Sequence, residues 1–317
     1  MVTLGSENRI FGADSFLESG KYPKSTFQEL ARTFGQKYDS DLMKKFKEER
    51  FVTNELVSDS RGTVAWKITR PAYDKDAEKE EIIYSEEVLA MLLAYVKFLA
   101  EKQAGGQVRD CVITIPSWFT YDQRLMVKDA AEGLAGLNIL QLVHENTAAA
   151  TMFGIDQKLE KDKNLTVMFY NMGGMDTEVS IVQYSLVDVT EKKTSPHIRI
   201  LGEASVKDLG SKDLDNVMVN LLAKKFNELP ERQGKDDVLT NQRATKRLQK
   251  EVVKIKEILS ANIQASVKVA ELLDYVTLQL MLSREEVEAA SAGFFDRVSI
   301  PAEEALKQAG LTKDDID

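Results

Sequence analysis

Cysteine is nearly missing from this chain. Cys111 stands alone among 317 residues, which excludes any intramolecular disulfide framework. Set in the apolar run CVITIP, it reads as a small core hydrophobe. Histidine is as scarce: His144 and His197 are far apart, so no Cys/His cluster offers a metal site. No paired nucleophile accompanies His144, which reads as structural. Long apolar runs are lacking too, and residues 88–99, interrupted by Lys97, are too short to span a bilayer. So is any surplus of positive charge. A net charge of −9 argues against a general nucleic-acid binder, because phosphate backbones require clustered cations. The mixed run Lys44-Lys45-Phe46-Lys47-Glu48-Glu49-Arg50 reads as a solvated helix face, and MVTLGSENRIFG has no basic-then-apolar leader pattern. What remains, 43% hydrophobic and 29% charged, is globular in type, and the length exceeds one typical domain and implies two lobes.

Periodicity predicts a mixed α/β chain. Residues 16–51 read as mostly helical, with turn signals at Gly20, Pro23 and Gly35. TVAWKI (63–68) alternates like a half-buried strand, and 70–79 is a polar loop. Ser85 reads as the N-cap of a helix over 86–102, with Glu86 and Glu87 at its positive end and Gly105-Gly106 as its stop. The apolar run 108–115, ended by Pro116, suits a strand covered on both faces. A helix over 122–133, a buried strand over 139–143 and a helix over 147–153 ending at Gly154 follow. Strands are expected over 166–170, 178–184 and 197–204. From Leu214 the pattern is helical nearly to the end, through 215–229 and a basic amphipathic 241–259. The exception is a strand over 275–282, followed by a capping box at Ser283-Arg284-Glu285-Glu286. A last helix runs from Pro301 to Gly310, and the polar residues 312–317 read as the approach to something further.

FYNMGGMDTEVSIV (169–182) leads an apolar strand into two glycines and out through another strand. It is not a P-loop, which needs GxxxxGK[ST] between strand and helix, and no GxGxxG opens a helix. Gly173-Gly174 therefore stands open between a plain hairpin turn and a phosphate-contacting one. Other turns aimed at the same place would decide, and two candidates exist: Glu145, and the segment 202–210. Glu145, between a strand and a helix, is either a cleft residue or a helix-capping carboxylate. Lys256 and Ser260 share a helix face at i, i+4 and by themselves read as surface residues. Asn164-Leu165-Thr166 is a glycosylation acceptor pattern, meaningful only in a secreted protein.

VITIPSWFTYDQRLMVKDAAEGLAGLNILQLVHENTAAATMFGID (112–156) resembles the central signature of the seventy-kilodalton heat-shock chaperone superfamily. There a strand ends in proline, followed by an aromatic, Gln-Arg on a helix, AGL, and then Glu and TAAA. LGSKDLDN, LSANIQAS and SREEVEAASAGFFDRV match in order and spacing, so the resemblance covers nearly the whole chain. ENTA, MFY before the glycine turn and LSAN are similar to the large endoplasmic-reticulum subgroup, the hypoxia up-regulated and glucose-regulated chaperones. The resemblance implies an α/β, actin-like ATPase fold of two ribonuclease-H-like lobes. Residues 1–155 would be the remainder of lobe I, with Leu4 ending its sheet and a helical upper part near 14–102. Residues 156–317 would be lobe II, with its base near 164–210, its helical upper part near 214–295, and a final helix returning to the base. A DLGS-type hairpin upstream and a VGG-type turn downstream are expected in the family. The chain thus reads as incomplete at both ends, and as a poorly soluble or partner-dependent piece.

By that resemblance Gly173 and Gly174 match a second phosphate hairpin, and Gly210 a backbone contact to the nucleotide. Lys256 and Ser260 match positions at the adenosine, and Glu145 a carboxylate near the magnesium-bound water shell. Pro116 and Arg124 match a pair linked to signalling between the nucleotide cleft and a substrate domain. The implied cofactor is ATP or ADP with Mg2+ held through water, with no direct protein ligand to the metal. Hydrolytic members carry Asp where Asn171 stands, Gly at Met175, Thr at Asp176, a water-positioning Lys at Ala31, Glu at Val253 and a cation at Glu257. Asn171 cannot act as a base, and Asp176 adds negative charge beside phosphates. Phosphoryl transfer then loses electrostatic and orientational terms, so ATP binding with weak or no hydrolysis is expected. The implied role is that of an ATP-binding domain of a chaperone in the endoplasmic-reticulum lumen. It would assist folding and promote ADP release from a conventional heat-shock chaperone of that compartment. Unfolded polypeptides would bind through a substrate domain absent here, with no nucleic acid and no membrane as partner. A lumenal setting also gives Asn164 meaning as a glycosylation site. An active ATPase chaperone and a nucleotide-free structural member of the fold are the alternatives.

Overall fold

The computed structural model describes residues 1–49, 52, 54–71, 79–190 and 193–317, and the predicted loop over 70–79 lies largely outside them. Two compact units alternate along the chain. One holds Met1–Asp110, Tyr121–Ile139 and Leu214–Ala292; the other holds Cys111–Thr120, Leu140–Asp213 and Gly293–Asp317.

The chain opens with β1 (Val2–Leu4), β2 (Arg9–Phe11), helix α1 (Gly12–Glu18) and β3 (Thr26–Phe27). Leu4 belongs to their small sheet, ordered β2-β1-β3. Its buried hydroxyls satisfy one another: Thr3 Oγ1 lies 2.7 Å from Ser15 Oγ and 2.9 Å from Thr26 Oγ1. After α2 (Asp41–Glu49) come β4 (Glu55–Ser58), β5 (Val64–Arg70) and β6 (Lys79–Tyr84), an antiparallel meander. Of the predicted helical stretch 16–51, the described residues are α-helical only over 16–18 and 41–49, with 3-10 turns at Pro23–Ser25 and Leu30–Arg32 between, because Pro23 and the left-handed Glu29 and Gly35 break it; residues 50 and 51 lie outside the described residues. β5 is more buried than its alternation implied: Val64, Ala65 and Trp66 are all inside. Helix α3 (Ser85–Ala104) starts one residue earlier than expected. Ser85 is not its cap but a buried hydroxyl receiving Trp66 Nε1–H at 3.2 Å. Tyr84 N–H instead accepts help from Glu87, donating to its Oε2 at 2.8 Å, and Gly105 at φ 68° ends the helix.

β7 (Asp110–Ile115) pairs with β8 (Asn138–His144) in a two-stranded sheet. Neither is the covered strand that its apolar run suggested: Val112 is 56% and Leu140 64% exposed. Between them α4 (Tyr121–Lys128) continues into a π-helical turn over Asp129–Leu134. Helix α5 (Glu145–Ile155) passes through Gly154, where a Cβ would lie 2.7 Å from Tyr184 Cε1. That glycine permits close packing and does not stop the helix. β9 (Leu165–Met172), β10 (Thr177–Thr190) and β11 (Lys193–Val206) form a sheet ordered β11-β10-β9. It is longer than the apolar cores of its strands.

Helix α6 (Ser211–Asn227) follows, then α7 (Gln242–Ala261), capped by Asn241 Oδ1, which accepts from Ala244 N–H at 3.0 Å. The helical expectation for the later chain missed β12 (Gln264–Leu273), which pairs with β13 (Val276–Ser283). In β12 only Ala265, Val267, Val269 and Leu272 point inward, and its polar half diluted the strand signal. The capping box forms at Ser283, with Ser283 N–H donating to Glu286 Oε2 at 2.9 Å, and opens α8 (Arg284–Ala290). The short α9 (Ala292–Phe295) and α10 (Ile300–Ala309), ended by left-handed Gly310, are followed by a 3-10 turn at Lys313–Asp315.

α6, α7, β12 and β13 bury one core centred on Leu222, Phe226, Leu248, Val252, Val267 and Leu278. A second gathers Val179, Ile181, Ala204 and Ala305. Phe226 is fully buried, and the Arg232 guanidinium lies 5.2 Å from its ring centroid. Phe226→Ala should lower unfolding stability by about 3–5 kcal/mol, the usual cost of a large-to-small core change. The check is the urea midpoint followed by circular dichroism; an unchanged midpoint would contradict this core.

Candidate functional site

The antiparallel pairing of β9 and β10 sets Met172 opposite Thr177 and leaves a turn of Gly173, Gly174, Met175 and Asp176. Gly173 N–H closes it, donating to Asp176 O at 2.9 Å. The first turn of α6 docks on it. Ser211 N–H donates to Gly173 O and Lys212 N–H to Gly174 O, both at 2.9 Å. Helix termini leave such donors without intrahelical partners, and here the hairpin supplies them. Gly210 permits the approach, since a Cβ there would lie 2.6 Å from Gly174 C and O and from Met175 N. Thr177 Oγ1 adds a tie to Leu209 O at 2.5 Å. Gly174 is the opposite case: it is exposed, and an added Cβ would meet nothing within 4 Å. The turn therefore has a side closed by α6 and an open side where a ligand can approach the backbone.

Carboxylates crowd the strand ends around it. Glu145 starts α5, and its Oε2 accepts from Asn171 Nδ2 at 3.0 Å. Asn171 stands opposite Glu178 across the β9–β10 ladder. Glu178 is 2% exposed, and its Oε1 accepts from Ser117 N–H at 2.7 Å and Ser117 Oγ at 3.1 Å. Its Oε2 is buried without a hydrogen-bond partner. Burial pushes this carboxyl up to about 7, with help from the negative charges of Asp176 and Glu145 and against the bonds from Ser117. Asp176 Oδ2 accepts from Trp118 Nε1 at 2.5 Å, and Lys207 Nζ lies 4.9 Å from the Trp118 ring centroid. Among the described residues no three His, Cys, Asp or Glu side chains are placed to hold a metal ion.

These residues all lie in the second unit, which brings Gly173, Gly174 and Gly210 together and ties Glu145 to β9. Pro116 is there too, one residue before Ser117, and Phe119 N–H donates to its carbonyl at 3.2 Å. Asn164 is exposed just before β9. Lys256, Ser260 and Arg124 belong to the first unit. Lys256 Nζ is paired with Asp215 Oδ1 at 2.5 Å, so it is no idle surface lysine. Ser260 is exposed and donates to Glu257 O at 2.6 Å, while Arg124 is half-buried on α4. Ala31 sits in a 3-10 turn, Leu30–Arg32. The first unit also holds a groove of about 660 Å³ between the start of α7 and the β12–β13 turn, and none of the sequence-predicted residues lines it. Its Arg247 is already engaged by the carbonyls of Ala270 and Glu271.

Sequence reasoning missed Glu178, Ser117 and Trp118. The available signal was a glutamate inside TEVSIV, a run buried at every position. Because Glu178 binds its proton more tightly folded than unfolded, its stabilising contribution is complete below the unfolded value of 4.5. It is lost as pH rises through about 7. Glu178→Gln removes that dependence and gives the orphaned position a donor. It should raise the Tm at pH 8, by up to about 3 kcal/mol in stability, and leave it nearly unchanged at pH 5. Parallel pH–Tm curves for the two proteins would contradict this.

Comparison with known proteins bears on the site. The family described as Hsp70 protein matches residues 1–317. Hypoxia up-regulated protein 1 of Xenopus laevis is 36% identical over 321 residues, covering 100% of this chain and 47% of that protein. Its Homo sapiens namesake is 34% identical over 322 residues, covering 100% of this chain and 31% of that protein. Heat shock 70 kDa protein 16 of Arabidopsis thaliana is 33% identical over 319 residues, covering 100% and 39%. The chain spans less than half the length of these relatives. It belongs to the Hsp70 protein family, whose nucleotide-binding domain has the actin-like ATPase fold.

Proposed function

We propose that this chain is the ATP-binding domain of a chaperone of the endoplasmic reticulum, holding ATP or ADP with magnesium as a conformational ligand and hydrolysing it weakly or not at all. The open face of the Gly173–Gly174 turn, with Gly210 packed behind it, suits the approach of phosphate oxygens to backbone. Lys256 and Ser260 would meet the adenosine. Glu145 would face the metal's water shell without binding the ion directly. Residues 1–155 and 156–317 would be the two lobes, and Pro116 and Arg124 would carry the nucleotide state onward.

One observation carries the weak-hydrolysis reading: the Asn171 amide donates to Glu145. An amide takes no proton from an attacking water, and this one is held by the carboxylate beside it. A ligand of this kind acts by favouring one arrangement of a protein over another. That suits a partner that promotes ADP release from a conventional heat-shock chaperone, with unfolded polypeptides bound elsewhere in the full-length protein. The exposed Asn164 acceptor supports a lumenal setting.

Calorimetric titration of the full-length protein with ATP–Mg should give measurable heat. Under single-turnover conditions it should form ADP more slowly than its Asn171→Asp variant. Wild-type turnover matching a measurable rate in the variant would support an active ATPase instead. No heat at all would support an empty cleft.

A further inference from the structure

We propose that a small pocket in the first unit, beside Asn54, is a binding site for the arginine side chain of a polypeptide. This goes beyond the ATP reading and does not depend on it.

The pocket has a volume of about 190 Å³ and is walled by the β4–β5–β6 meander, by Lys24 and by Gln242, the first residue of α7. Asn54 is the most deeply buried polar residue of that wall, 7% exposed. Its Nδ2 donates to the Lys24 carbonyl at 3.1 Å. A carbonyl only accepts, so this bond fixes which amide atom is the nitrogen. Oδ1 is then left buried with no hydrogen-bond partner. Buried polar atoms are nearly always partnered, and an orphaned acceptor beside a cavity asks for a donor from outside. The space exceeds what one bridging water needs.

The rest of the wall adds acceptors. Glu55 stands opposite Lys67 across β4 and β5, and Glu80 opposite Thr69 across β5 and β6. Alternation along a strand puts Lys67 and Thr69 on one face, so the two carboxylates share that face with them. Lys67 Nζ lies 3.2 Å from Glu55 Oε2 and 3.3 Å from Glu80 Oε2. One ammonium thus serves two carboxylates, and the Oε1 of each stays outside that bridge. Side chains that only donate are those of lysine, arginine and tryptophan. An amide or a hydroxyl would set its own oxygen against the carboxylates. The planar guanidinium fork suits an amide oxygen and a carboxylate together, where an ammonium is a point charge. Lys24, exposed, adds a positive charge to the wall and opposes such a ligand.

The test is saturation-transfer NMR of the full-length protein with the peptide acetyl-Gly-Arg-Gly-amide, which reads the arginine δ-methylene protons and a Kd. The same peptide with citrulline for arginine keeps the shape, loses the charge and brings an oxygen, and should bind about tenfold more weakly. Asn54→Leu removes the orphaned acceptor and should weaken the arginine peptide about tenfold, with circular dichroism checking that the variant is folded. Glu80 is 68% exposed, so Glu80→Gln leaves the fold intact; it should weaken binding about fivefold. Lys24→Gln should tighten it about twofold. Equal saturation in wild type, Asn54→Leu and Glu80→Gln would put the peptide elsewhere on the protein and overturn the proposal. So would equal binding of the arginine and citrulline peptides. No saturation of either peptide would leave the pocket to water and overturn it too.

Discussion

Two backbone hydrogen bonds, from Ser211 and Lys212 N–H to the carbonyls of Gly173 and Gly174, decide most of what this site can do. They take the first donors of α6 and aim them at the turn instead of at solvent or a ligand. The turn is then held from behind, and only its outer face remains for recognition. The arrangement has no room for a side chain at 210 and tolerates none pointing between the hairpin and α6. Any nucleotide bound here must use the hairpin's open side, while the helix sets the turn's position.

Around that fixed turn, charge is managed by individual partners. Glu145 has the Asn171 amide, Asp176 the Trp118 indole, and Glu178 the backbone and hydroxyl of Ser117. A carboxylate at 171 would face Glu145 Oε2 at 3.0 Å and stand opposite Glu178 across the ladder. The amide removes one negative charge from a group already pushed toward protonation at Glu178. Asn171 therefore has a structural reason to be an amide in this chain, beyond what it denies to catalysis. The same crowding makes the turn a poor place for a further anion unless a cation accompanies it.

Strong local patterns were legible in the sequence: the amphipathic α7, the capping box at Ser283, the Gly105 and Gly310 stops, and the strands flanking the glycine turn. β12 escaped because half of its residues are polar, and its inward set is short and small. Apolar runs misled at β7 and β8, where composition suggested burial but the strands leave Val112 and Leu140 exposed. The glycines of the site were visible, and the ordered motifs gave them their meaning. The Ser117–Glu178 and Trp118–Asp176 ties were not legible, because they join residues 61 and 58 positions apart. A long-range bond of this kind leaves no periodic trace. Only a charged residue in an otherwise buried run hinted at it.

The central claim is a turn that holds a nucleotide without breaking it. Phosphorus NMR of the full-length protein with stoichiometric ATP–Mg tests it most directly. The account predicts that the β- and γ-phosphorus resonances broaden or shift on adding protein and persist, with no growing signal of inorganic phosphate. Steady release of inorganic phosphate, or phosphorus resonances identical to those of free ATP–Mg, would contradict it.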